Sequence, residues 1–121
     1  MNTTINPLQI AQSLTNSWSP KIISEVNQSY IKVAKLKGEF VWHTHENEDE
    51  MFMVLKGQLI IEFRDKQIEL NKGDCYVVRK GVEHNPVAKN ECLVMLIELK
   101  TTTHTGDTFH PNSKSIQQQL I

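Results

Sequence analysis

From Lys21 onward, short runs of β-branched and aromatic residues alternate with turn punctuation. The runs are KIISEV, YIKVAKL, EFVWH, EMFMVL, QLIIEF, QIEL, DCYVV and CLVMLIEL, separated by KG, RDK, NKG, RKG and AKN. Eight segments of this length and spacing predict an all-β sandwich or barrel. Within QLIIEFR, Leu59, Ile61 and Phe63 fall on one face and Gln58, Ile60, Glu62 and Arg64 on the other, as expected of a strand with one side on the core. The run from Cys92 to Leu99 is apolar on both faces apart from Glu98, which predicts a central strand covered on both sides. Ahead of the strands, NPLQIAQSLTNSW carries Leu8, Ala11 or Gln12, and Leu14 at helical spacing with Pro7 in the first turn. It predicts a short helix over about residues 7–16.

Length and charge narrow the picture further. The chain of 121 residues is the size of one domain, with a barrel core over about residues 21–100 and a polar tail from 101 to 121. Its net charge of −1 supplies no basic field, so nucleic acid and anionic membrane surfaces are not expected partners. No run approaches the roughly 18 apolar residues of a membrane span, and residues 1–20 lack the basic start of a secretory signal. Cys75 and Cys92 sit in apolar stretches without a CxxC spacing and read as buried free thiols of a reduced, cytoplasmic protein.

The chemistry concentrates in HTHENEDE, residues 43–50. On an extended segment residues i and i+2 point to the same side, so His43 and His45 would present their imidazoles together, with Trp42 and Thr44 turned away. Glu46, Asn47, Glu48 and Asp49 have the composition of an ordinary turn. Glu50 differs, because it opens the apolar run MFMVLKG, where an inward carboxylate is costly unless paired or bound to a cation. A third histidine, His84, follows Gly81 in GDCYVVRKGVEHNP.

These residues resemble the two motifs of the cupin family. The first runs Gly, five residues, H-x-H, three or four residues, Glu, six residues, Gly, and His43, His45, Glu50 and Gly57 match it; Gly38 stands one residue closer to His43 than usual. The second runs Gly, five residues, Pro, one residue, Gly, two residues, His, three residues, Asn, and is met by Gly73, Gly81 and His84. Arg79 replaces its proline and Ala88 its asparagine, neither a ligand position. The likeness extends over roughly residues 30–100. Through LKGEFVWHTHENEDEMFMVLKG, PVAKNECLVMLIE and HTGD it is nearest to small single-domain cupins labelled mannose-6-phosphate-isomerase-like.

The resemblance implies a double-stranded β-helix, or jelly roll, with a short N-terminal helix, and a homodimer. It implies His43, His45, Glu50 and His84 as ligands of one divalent transition metal, drawn from Fe, Mn, Ni, Zn, Co and Cu. Three imidazoles and a carboxylate suit these borderline ions. The expected function is a metal-dependent reaction on a small oxygen-bearing molecule, of dioxygenase or isomerase type. The alternative is a module that binds a metal or small molecule without turnover, since no general base stands beside the ligands in sequence. Val41, Phe52 and Val54, alternating with the ligands, are candidate pocket walls, and Trp18 and Trp42 are expected to pack, Trp42 on the outer side. His104 and His110 flank TGDTF and read as residues of a solvated loop.

Overall fold

The computed structural model of the chain describes residues 3–106 and 114–120. Among them run α1 (Pro7–Gln12), β1 (Lys21–Val26), β2 (Ser29–Glu39), β3 (Glu50–Lys56), β4 (Gln58–Glu62), β5 (Gln67–Asn71), β6 (Cys75–Val78), β7 (Asn85–Leu99) and α2 (Ile116–Gln119). All strand pairings are antiparallel, in the order β1-β2-β7-β3-β6, while β4 pairs with β5 and with the start of β7. The fifteen-residue β7 is thus shared: Asn85 to Val87 lie along β4, and Leu93 to Glu98 lie between β2 and β3. The last run is central, as its two apolar faces require.

One apolar cluster draws Leu36 from β2, Val54 from β3, Ile61 from β4, Leu70 from β5, Val78 from β6 and Val94 from β7, so the strands wrap around a common interior. The outward residues Val33 and Leu93 instead meet Ala11 of α1, with Leu8, Ile10 and Leu14 around them. Helix and sheet therefore cover both faces of β2 and β7, which explains their nearly continuous apolar sequence.

Several local expectations are corrected. EFVWH forms no strand of its own: β2 stops at Glu39, and beyond it Phe40 N donates to Pro86 O at 3.1 Å and an isolated bridge joins His43 to His84. The helix ends at Gln12 rather than near residue 16, because Ser13 caps it, its N–H meeting the Ala11 and Ile10 carbonyls and its hydroxyl donating to Ile10 O at 2.6 Å. Cys92 is buried, but Cys75 is exposed, since it starts the edge strand β6 on the outward face. In the tail, Ser115 and Gln118 cap α2 reciprocally; His110 lies outside the described residues. No helix among the described residues is long and apolar enough to cross a membrane.

Gly57, between β3 and β4, has φ +88°. A Cβ there would stand 2.9 Å from Glu91 O, so both the backbone angle and the close approach of β7 call for glycine.

Candidate metal centre

Each proposed ligand reaches the interior from a different local structure. Glu50 is the first residue of β3 and shares its inward face with Phe52 and Val54. His43 and His84 face each other across their bridge, each backbone N–H donating to the other's carbonyl at 3.0 Å. Gly81 N donates to His45 O at 2.8 Å, tying the second segment to the first. Asp49 adds a clamp outside, accepting from Lys80 N at 2.9 Å and from Arg79 at 3.3 Å. Arg79, where the family motif has proline, thus takes part in holding the same two loops together.

The outcome is one cluster. Histidine ring centroids are 4.4 Å apart for His43 and His84, 4.9 Å for His43 and His45, and 5.8 Å for His45 and His84. Glu50 Oε1 lies 3.4 Å from both His45 Nε2 and His84 Nε2. One ligand atom from each of the four residues falls within 4.8 Å of the others, and all four side chains are buried. The i, i+2 orientation expected of the histidine pair holds without a regular strand.

Two ring orientations follow from hydrogen bonding. His43 Nδ1 lies 2.8 Å from Val41 O and His84 Nδ1 lies 3.0 Å from Val82 O. A carbonyl can only accept, so each Nδ1 carries a proton, which leaves Nε2 as the atom each ring can offer to a metal. Burial lowers the His43 pKa to about 4, helped by the neighbouring His84, so this ring is neutral at ordinary pH.

Burial alone would raise the Glu50 carboxyl, but the neighbouring Glu98, His45 and His84 outweigh it and hold the group well below its usual range. The compensation appears one residue deeper: burial, then the charge of Glu50, pushes Glu98 well above its usual range against the pull of Lys32. Of the two carboxyls, Glu50 therefore holds its negative charge the more readily.

This donor set fits a divalent transition ion. His84 Nε2 and Glu50 Oε1 are buried without a hydrogen-bond partner, a costly condition that a shared cation would relieve. Ligands on opposite sides of one ion stand about 4.4 Å apart at bonds of about 2.2 Å. The largest separation allowed here, 4.8 Å, closes to that with a small inward movement.

The model of the cupin domain family matches residues 30–99, more than half of the chain. The chain belongs to the cupin family. A cupin-2 domain containing protein from Shewanella frigidimarina is 47% identical, with TM-score 0.77 over 79% of this chain and 94% of that one. Protein NMB1881 from Neisseria meningitidis is 32% identical, with TM-score 0.74 over 81% of this chain and all of that one. The uncharacterized protein YdbB of Bacillus subtilis is 39% identical over 80 residues, 65% of this chain and 71% of that protein.

In this cupin a cavity of about 40 Å³, room for a few waters, adjoins His43 and Glu50. Phe52 lines it as expected; Val54 packs in the apolar core instead, and Val41 contributes only the carbonyl beside His43. Three wall residues were not legible as such. Trp18 stacks on Phe40 at 4.6 Å, and Phe40 stacks on His104 at 5.1 Å. Trp18 has φ 58°, an unusual angle for a bulky residue, secured by its N–H on Lys35 O and its indole Nε1 on Lys37 O, both at 2.8 Å. His104 belongs to no open loop: it lines the cavity, and its turn packs so tightly on Thr44 that a Cβ at Gly106 would collide with that backbone. Trp42 faces away from the ligands, under the Arg64 guanidinium at 3.8 Å.

Proposed function

We propose that this cupin is a metal-dependent enzyme acting on a small, weakly polar, oxygen-bearing molecule by dioxygenase-type chemistry. The observation that carries the reading is the convergence of His43, His45, Glu50 and His84 beside an apolar cavity. When bound, an ion would supply Lewis acidity or redox chemistry with dioxygen. His43, His45 and His84 would hold it through neutral rings, and Glu50 would offset part of its charge.

The cavity chemistry favours one reaction class over the other. A sugar phosphate needs cationic and hydrogen-bonding partners. Among the described residues no lysine or arginine lines this cavity; its walls include Trp18, Leu36, Phe40, Phe52, Val94 and Leu96. Such walls exclude water and favour a flat, largely apolar substrate, which supports oxidative chemistry over sugar isomerisation. His104 is the added polar group. Its Nδ1 accepts from Lys114 N at 3.1 Å, which places the ring proton on Nε2.

Protein loaded with Fe(II) without oxygen, then mixed with aerated phenolic acids, diketones, thiols and sugar phosphates, tests the reading. Oxygen uptake with product from a phenolic acid or diketone is expected. Conversion of a sugar phosphate without oxygen uptake would replace it with an isomerase. Binding without turnover across every class would leave a binding module.

A further inference from the structure

Lys32 is fully buried and Glu98 is 4% exposed, with Lys32 Nζ 2.5 Å from Glu98 Oε1. Lysine is almost never buried to this extent, and its neighbours along β2, Ala34 and Leu36, are ordinary wall residues of the cavity. The strand register explains the meeting. Glu98 of β7 pairs with Tyr30 of β2 on one side and with Glu50 of β3 on the other, and Lys32 stands two residues from Tyr30 on the inward face.

We propose that Lys32 and Glu98 form an outer layer of the metal centre, holding the Glu50 carboxylate in the orientation that meets His45 and His84 and so setting the affinity for the cation. The inference rests on the metal reading. Lys32 grips Glu98, Glu98 stands directly opposite Glu50 across the β3–β7 pair, and Glu50 Oε1 is 3.4 Å from both imidazoles. Without Glu98, little restrains the terminal torsion of Glu50, which is intrinsically broad for a carboxylate.

Fold stability alone does not account for the pair. Exchanging a buried ion pair for apolar groups of similar volume is often neutral or stabilising, and Leu96 and Val94 beside it show that this interior accepts apolar side chains. Groups behind a ligand, by contrast, typically alter metal affinity by about 10–100-fold when removed. Lys32 and Glu98 are positioning residues in this sense, acting through Glu50.

The test is Co2+ titration of the untagged full chain by calorimetry, with the visible absorption spectrum of the bound ion and the melting temperature measured alongside. The double variant Lys32→Met/Glu98→Leu is expected to melt at or above the wild-type temperature, to bind Co2+ about 10–100-fold more weakly and to shift its spectrum. Glu98→Gln, which keeps the side-chain length and can donate to Glu50, should retain most of the affinity. Glu98→Asp, safer for folding but too short to reach both neighbours, should weaken binding with its circular dichroism unchanged. Wild-type affinity and spectrum in the double variant, or in Glu98→Asp should the double variant fail to fold, would overturn the proposal and leave the metal site standing. A wild-type chain that takes up no Co2+ would overturn both.

Discussion

Ile61 and His84 are both fully buried, yet leaving water acts on them in opposite directions. Ile61, with Leu59, Val54 and Leu70, belongs to an interior region that burial itself stabilises, by about 1.5–3 kcal/mol per large side chain. His84, with His43, His45, Glu50, Glu98 and Lys32, belongs to a region where burial costs free energy, and His84 Nε2 and Glu50 Oε1 are left without hydrogen-bond partners. The two regions share strands: β3 passes from Glu50 to Phe52 and Val54, and β7 passes from Glu98 to Leu96 and Val94. One region holds the fold together and the other is held by it, which is the arrangement expected of a site whose missing stabilisation comes from a ligand.

Substitutions should separate the two regions most sharply. Ile61→Ala should cost about 2–5 kcal/mol in denaturant unfolding through lost burial and a residual cavity, with unchanged metal content in the folded fraction. His45→Ala should do the reverse, removing most bound metal while changing the unfolding free energy of metal-free protein by no more than about 1–2 kcal/mol. Equal losses of stability in both, with metal retained in His45→Ala, would erase the distinction.

Acid should act on the polar region alone. His43 is held at about 4 in the fold against an ordinary value of 6.5, so the unfolded chain binds its proton first. Its contribution is complete above pH 6.5 and is lost as pH falls towards 4, a loss of about 3 kcal/mol. Denaturant unfolding of metal-free protein across this window should show the slope, and His43→Gln should flatten it. A slope unaffected by that substitution would place the titration elsewhere. The smallest effect is expected at the surface: Arg79→Ala breaks an exposed pair with Asp49, screened by solvent, and should leave melting temperature and metal content within experimental scatter.

The same contrast separates what could be read from the chain. Alternation placed Leu59, Ile61 and Phe63 inward, and all three are buried. The spacing of His43, His45, Glu50 and His84 was legible because each motif is local and only one long-range closure was needed. The strand expected at EFVWH was lost because pairing ceases after Glu39, yet the histidine pair converges through its bridge to His84. Trp18, Phe40 and His104 meet only through a left-handed backbone angle and a glycine packed on Thr44, features that hydropathy does not encode. Lys32 and Glu98 were visible only as isolated charges in apolar runs; their meeting depends on the register of β2 against β7. Ile60, assigned to the wetter face of its strand, is buried as well, opposite Val87 of β7.

Elemental analysis of untagged protein, after dialysis against metal-free buffer and alongside the His45→Ala/Glu50→Ala double variant, tests the central claim most directly. About one transition-metal ion per wild-type chain is expected, and almost none in the variant. Equal metal content in the two proteins, or a wild-type chain that remains metal-free when supplied with Fe, Mn, Co, Ni, Cu and Zn in turn, would contradict it.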